Sequence, residues 1–173
     1  MDHSDHHDSH GNMRGGSYVR FAAMIVTSTF IMFGLMYLNT WAIDHVFFSQ
    51  TRMWMALYMG GAMALIMLAF MLGMYRNPRA NLIVAGLSIL AFALGLFLVR
   101  SQATVDDTAW MKAMIPHHSI AILTSTRADI SDPRVRALAD SIIEAQTLEI
   151  AEMKALIADL EGGPAATPEV DGR

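Results

Sequence analysis

The sequence predicts an all-α protein in which three transmembrane helices precede a soluble helical hairpin. Hydrophobic residues make up 54% of the 173 residues and charged residues only 16%, a balance that suits a membrane protein better than a small soluble domain. Long uncharged apolar runs lie before Ser101, whereas most acidic residues follow it. Two helical patterns with apolar faces follow Ser101 and predict the hairpin.

The N-terminal tail, residues 1–17, is predicted to be disordered because its Asp, His, Ser, Gly and Asn residues cannot bury a core. Its four histidines can capture divalent metal, although without preorganisation they bind weakly and unselectively. Metal buffering and a merely solvated tail therefore both remain open for His3, His6, His7 and His10.

The membrane module, residues 18–100, is predicted from apolar runs at 21–38, 53–75 and 82–99. Each run is long enough to cross, or nearly cross, a hydrocarbon core. The first run is read as an anchor rather than a cleaved signal peptide, since it is long and no small-x-small site follows it. Residues 39–52 mix charged and aromatic side chains and predict an interfacial loop.

The arginines that adjoin the spans predict the orientation. Arg14, Arg20, Arg76 and Arg79 lie on one side, against Arg52 and Arg100 on the other. This asymmetry favours an N-terminus inside and a C-terminus outside. In the inner membrane of a bacterium, the C-terminal domain is then expected to be periplasmic.

The predicted spans carry no Asp, Glu, Lys or His, which argues against a proton-coupled transporter or a membrane cytochrome. The second span has a methionine every fourth residue, at Met55, Met59, Met63, Met67 and Met71. Thioethers in such a series could relay Cu(I), but methionine is also a common apolar filler, and the filler role is favoured. Small residues are expected to let the helices approach closely, namely Gly60, Gly61, Ala64, Gly86 and Gly95.

The soluble domain, residues 101–162, is predicted as two helices. Asp106 or Asp107 caps a helix that runs to about Arg127, and Asp132 with Pro133 starts the next. Gly162-Gly163-Pro164 ends it, and the tail 163–173 is predicted to be disordered. Such a hairpin has a small core, so we expect it to dock on the membrane module or to form a homodimeric four-helix bundle.

One face of the first soluble helix concentrates groups that can hold a soft metal. The chain has no cysteine, so any metal depends on His, Met, carboxylate or amide groups. At 100° per residue, one arc of roughly 120° contains Trp110, Met111, Met114, His117, His118 and Ala121. Pro116 lies inside this helix, where it removes one backbone hydrogen bond and predicts a kink beside the histidines.

The second soluble helix has Gln146 and Glu149 inside its apolar arc, where polar groups need partners. The histidines of the first helix or a metal can serve as those partners. A purely structural alternative stays open, in which Glu149 bonds one histidine and Gln146 completes the hydrogen bonding without any metal.

These residues form the pattern Met111-x-x-Met114-x-Pro116-His117-His118, followed by Gln146-x-x-Glu149-Ile150-x-x-Met153. The pattern resembles the domain-of-unknown-function family 305 (DUF305) over about residues 103–161, and the membrane module looks like a membrane-anchored subgroup of it. The resemblance, which includes CopM-like copper-resistance members, implies a ferritin-like or four-helix-bundle domain that binds copper or silver, with Cu(I) favoured.

Carried over to this chain, the resemblance implies as metal ligands Met111, Met114, His117, His118 and Met153, with Gln146 and Glu149 as supporting or additional ligands. The chain has a single copy of the motif, unlike secreted relatives.

We therefore expect a membrane-anchored, non-enzymatic protein for metal sequestration, handover or resistance, with copper-handling proteins as possible partners. The alternative is a helical interaction module whose His pair is structural. A metalloenzyme is disfavoured because the Glu-x-x-His and His-Glu-x-x-His patterns are absent, and no basic patch indicates nucleic acid.

Overall fold

The computed structural model describes residues 9–162, with side chains from Ser17 onward. This part of the chain contains five α-helices and one short 3-10 helix, and no strand. The α-helices are α1 (Ser9–Leu35), α2 (Gln50–Phe70), α3 (Pro78–Ser101), α4 (Asp107–Arg127) and α5 (Pro133–Leu160), and the 3-10 helix is Ile43–His45. The all-α fold class is confirmed.

Three helices are long and apolar enough to cross a membrane, as predicted: Ser17–Leu35, Gln50–Phe70 and Pro78–Ser101. Their bounds differ by a few residues from the apolar runs, because hydropathy does not mark where helical hydrogen bonding begins or ends. Helix α1 begins at Ser9, inside the predicted disordered tail. The rest of that tail, including His3, His6 and His7, and the predicted disordered stretch 163–173 lie outside the described residues.

Contacts divide the chain into two compact units. The first comprises the chain through Gly34 together with Trp54–Ser101. In it, a Cβ added at Gly61 would lie 2.7 Å from the Ser88 carbonyl oxygen, and one at Gly95 would lie 2.8 Å from the Tyr58 nitrogen. These glycines therefore allow the close helix contact that the sequence predicted, whereas nothing lies within 4 Å of a Cβ at Gly86.

Apolar and aromatic side chains fill the interior of this first unit. A cluster of Phe21, Ala64, Leu68 and Tyr75 is buried there, and Met67 and Met71 pack against it. These two members of the methionine series thus have the packing role that the sequence favoured. The Tyr18 hydroxyl donates to Asn81 Oδ1 at 2.7 Å, and Asn81 Nδ2 donates to the Tyr75 carbonyl at 2.7 Å.

The second unit joins residues 35–53 to the chain after Ser101. If each of the three apolar helices crosses a membrane, both segments lie on the same side of it, which agrees with this grouping. The sequence assigned residues 39–52 to the membrane module. In the structure, the 3-10 helix contacts α4, and Phe47 packs against the core of the hairpin.

Helices α4 and α5 begin and end where local signals predict. The Asp106 side chain caps α4 by accepting from the Ala109 amide at 2.7 Å, and Asp132 caps α5 directly before Pro133. Beyond α5, Gly162 adopts a positive φ of 78°, a conformation that glycine adopts easily. Helix α4 runs through the buried Pro116 without interruption, although proline removes one backbone hydrogen bond.

Candidate metal centre

Helices α4 and α5 pack on one another through a buried apolar cluster. It consists of Met111, Ile115, Ile122, Ile150, Met153 and Ile157, with Met114 and Ile143 packed against it. An ion pair between Lys112 and Glu161 joins the start of α4 to the end of α5. The predicted thioether ligands Met111, Met114 and Met153 are thus brought together at one hairpin core.

His118 has a partner at each ring nitrogen. Its Nδ1 lies 2.9 Å from the Met114 carbonyl oxygen, and its Nε2 lies 2.7 Å from Glu149 Oε2. A carbonyl oxygen can only accept, so Nδ1 carries a proton. Nε2 is therefore the nitrogen that either shares a proton with Glu149 or offers its lone pair to a metal.

Glu149 and Gln146 complete this group. Gln146 Nε2 donates to Glu149 Oε2 at 3.1 Å, so the same carboxylate oxygen meets both the amide and the imidazole. His118, Glu149 and Gln146 satisfy one another as they stand, which is the metal-free arrangement that the sequence left open. The proximity of all three residues to each other follows the prediction.

The predicted burial of Glu149 is wrong, because its side chain is 50% exposed. Periodicity gives the angle at which a side chain leaves a helix but not how far neighbouring elements cover that angle. Within the described residues, α4 is the helix that packs on α5, and it leaves the carboxylate open to water. Its desolvation therefore does not by itself require a metal.

The two histidines differ in their surroundings. His117 is exposed, and its ring has no hydrogen bond within the described residues. Its ring meets that of His118 edge-on, with centroids 6.1 Å apart and planes 70° from parallel. Consecutive helical residues point about 100° apart, so only His118 faces Glu149. His117 remains available to a ligand or to a partner outside this hairpin.

No group of three or more His, Cys, Asp or Glu side chains that could hold a metal occurs between residues 9 and 162. The other candidate donors that the hairpin carries are the thioethers of Met111, Met114 and Met153 at its core and the imidazole of His118, donor types that suit a soft ion.

A second polar group, which sequence reasoning missed, lies where residues 41–47 meet α4. The fully buried Ser119 accepts from the Trp41 amide at 2.7 Å and lies 2.9 Å from His45 Nδ1. Asp44 accepts from Lys154 of α5 at 2.6 Å. Asp44 and His45 are the ionisable residues of an otherwise apolar segment, and that was the available signal.

These residues resemble the types found in a hydrolase triad, but their geometry excludes that role for Ser119. The relative exposure of Ser119 is 0%, and its Oγ accepts a hydrogen bond from the Trp41 amide. A substrate carbonyl therefore cannot reach this hydroxyl. The His45 ring and Asp44 lie 4.0 Å apart, beyond hydrogen-bonding distance. The group is a structural contact between segments.

The comparisons with known proteins match the hairpin and extend beyond it. A family described as "Domain of unknown function (DUF305)" matches residues 98–167. "Uncharacterized protein L153" of Acanthamoeba polyphaga mimivirus is 30% identical over 138 residues, which cover 78% of this chain and 89% of that protein. A stretch that covers 78% of the 173 residues necessarily includes residues 50–127, so the match extends over α2 and α3 as well as α4. No solved structure matches. The chain belongs to the DUF305 family.

Proposed function

We propose that this chain is a membrane-anchored protein that binds Cu(I) or Ag(I) on the α4–α5 hairpin, for sequestration, handover or resistance. The observation that carries the proposal is the hydrogen bond from His118 Nδ1 to the Met114 carbonyl. Metal-binding histidines commonly donate their other ring N–H to a carbonyl or carboxylate, which fixes the ligand nitrogen. Here that nitrogen is Nε2.

The donor set fits a soft monovalent ion. Met111, Met114 and Met153 belong to or pack against the same cluster, and thioethers with an imidazole select Cu(I) or Ag(I) over magnesium or calcium. Glu149 and Gln146 would support His118 rather than lead the binding, because oxygen donors suit harder ions. Binding at Nε2 would displace the proton shared with Glu149, so uptake releases a proton.

The test is a competition between the full-length chain in detergent and a chromophoric Cu(I) chelator. The N-terminal histidines His3, His6, His7 and His10 are first changed to glutamine, so that they do not bind the ion. Met114→Leu and Met153→Leu remove the thioethers with little change of volume, and His118→Ala removes the imidazole. Met59→Leu in α2 is the matched control.

We expect His118→Ala and the Met114→Leu/Met153→Leu pair each to weaken binding by about tenfold or more, the effect of losing roughly 1.4 kcal/mol. Met59→Leu is expected to leave the affinity unchanged. Equal affinity in all variants, or a loss of the same size in Met59→Leu, would overturn the site.

The second candidate function is a helical interaction module, and the exposed apolar side chains of the hairpin favour it. Trp110 on α4 and four leucines on α5 are exposed, namely Leu138, Leu148, Leu156 and Leu160. The proposed partner is a second copy, which would complete a ferritin-like four-helix bundle. Light scattering of the detergent-solubilised chain tests this proposal. A dimer would support it, and a monomer at all concentrations would contradict it.

We further propose that the membrane is a bacterial inner membrane with the hairpin on the periplasmic side. The arginine asymmetry supports this orientation. Of the two arginines counted on the outer side, Arg52 is buried and donates to the Met36 carbonyl at 2.6 Å, whereas Arg100 is exposed. The test is a reporter, active only in the cytoplasm, that is fused to the C-terminus. Activity of this reporter would contradict the proposed orientation.

A further inference from the structure

The segment of residues 41–47, here named the latch segment, is held on the hairpin by a small number of specific contacts. Its Trp41 amide and its His45 ring both meet the Ser119 hydroxyl of α4. Its Asp44 pairs with Lys154 of α5, and Phe47 packs against the apolar cluster. One segment thus contacts both helices of the hairpin.

The hydrogen bonds at Ser119 are complete only when His45 is neutral. Ser119 Oγ accepts from the Trp41 amide, and its hydroxyl proton can then be donated to an unprotonated Nδ1 of His45. A protonated ring would make Nδ1 a donor, and the Ser119 hydroxyl proton would lose this acceptor. Because Ser119 is fully buried, water cannot replace the lost partner there.

The charges around His45 also favour the neutral ring. The side chain is 13% exposed, so an added charge would be largely desolvated. Lys154 on α5 contributes a positive charge near the site through its pairing with Asp44, and the group of α4 that contacts the ring is the uncharged Ser119 hydroxyl. Within the described residues, the carboxylate that pairs with this side of the site is Asp44, which lies 4.0 Å from the His45 ring and 2.6 Å from Lys154 Nζ.

We propose that residues 41–47 form a pH-dependent latch that holds the hairpin while His45 is neutral and leaves it when His45 is protonated. Release uncovers Ser119 and the part of the apolar cluster under Phe47. The proposal concerns the segment that connects α1 to α2, and it does not depend on metal binding.

The direction of the pH effect follows from linkage. Burial, and after it the charge of Lys154, lower the pKa of His45 from its ordinary 6.5, while Asp44 acts in the opposite sense. The released segment then takes up a proton at a higher pH than the docked one. Docking is therefore strongest above 6.5, weakens as the pH falls below it, and levels off once the docked ring is also protonated.

The test is hydrogen exchange of the full-length chain in detergent at a series of pH values from about 5 to 7.5, with each rate divided by the intrinsic rate at that pH. For one proton, the protection of the latch segment is expected to fall by up to about tenfold per pH unit below 6.5. Amides in the middle of α5 serve as the internal reference and should keep their protection.

Three variants separate the latch from general instability. His45→Gln keeps a neutral hydrogen-bonding side chain and should make protection of the latch segment independent of pH. Ser119→Ala should lower that protection at every pH, and Ser141→Ala, which removes an exposed hydroxyl of α5 outside the latch, should behave as wild type. Flat protection in the wild type, or a pH dependence that survives in His45→Gln, would overturn the proposal.

A second measurement covers the case in which His45→Gln does not fold. Histidine-selective isotope labelling of the wild-type chain allows the His45 ring to be titrated by NMR. Its titration should coincide with the loss of protection in the latch segment. A ring that titrates at or above 6.5, or without any change in protection, would equally overturn the latch.

Discussion

His118 Nε2 lies 2.7 Å from Glu149 Oε2, while the ring of the neighbouring His117 is exposed and has no hydrogen bond within the described residues. His118→Ala removes both ring contacts of a mostly buried side chain. We expect it to lower the free energy of unfolding by about 1–3 kcal/mol, the usual effect of breaking such contacts. His117→Ala is expected to change it by less than about 0.5 kcal/mol, as for other exposed positions.

Thermal unfolding in detergent, followed by circular dichroism, measures this difference in the absence of metal. For a unit of the hairpin's size, each kcal/mol of lost stability lowers the melting temperature by roughly 4–8 °C. Equal melting temperatures for the two alanine variants would contradict the distinction between the histidines. A larger effect of His117→Ala would point to a partner that covers His117.

The hairpin core depends on Ile115, which is fully buried on α4 among the residues that contact α5. Ile115→Ala should lower the free energy of unfolding by about 2–5 kcal/mol, since it removes buried methyl groups and leaves a cavity. Leu148→Ala on the exposed side of α5, where the leucine is 66% exposed, is the control and should cost less than about 0.5 kcal/mol. If a second copy covers Leu148, the control will instead lose stability in a concentration-dependent manner.

Local sequence signals account for most of what could be predicted. The helix starts at Asp106 and Asp132 and the stop at Gly162 rest on side chain and backbone preferences of a few consecutive residues. The three spans rest on uninterrupted apolar composition. The meeting of His118 with Glu149 and Gln146 follows from helical periodicity once two helices are taken to pack face to face.

The contacts of residues 41–47 could not be predicted in the same way. Trp41 and Ser119 are separated by 78 residues, and a single serine inside a helix gives no periodic signal. The loop composition is equally suited to lipid headgroups and to a protein surface. Tertiary packing decides between them, which is also why the exposure of Glu149 differed from the expectation.

In the first unit, the close contact at Gly95 leads to a prediction about helix packing. A Cβ there would lie 2.8 Å from the Tyr58 nitrogen and 2.9 Å from the Trp54 carbonyl oxygen, which are backbone atoms that cannot rotate away. Gly95→Val should therefore separate α2 from α3 and lower the stability of the full-length chain by about 1–3 kcal/mol. Gly86→Val, where nothing lies within 4 Å, is the control.

Thermal aggregation of the two glycine variants in the same detergent gives the comparison. Gly95→Val should aggregate at a clearly lower temperature than the wild type, by roughly 4–8 °C for each kcal/mol of lost stability. Gly86→Val should remain within a few degrees of the wild type. If Gly86→Val proved as damaging as Gly95→Val, the effect would come from the valine's helix propensity or from a lipid-facing contact rather than from the predicted clash.

The neighbours Phe47 and Phe48 test whether the loop before α2 belongs to the hairpin. Phe47 is half-buried against the cluster that includes Met111 and Ile150, whereas Phe48 is 60% exposed. Phe47→Ala should lower the free energy of unfolding of the hairpin by about 1–3 kcal/mol, less than the usual cost for a fully buried phenylalanine. Phe48→Ala should leave it nearly unchanged, because its ring does not belong to that cluster.

Urea unfolding followed by exchange of α5 amides reports on the hairpin alone. If both variants left α5 unaffected, residues 41–47 would not contribute to its stability, and the assignment of this loop to the second unit would fail.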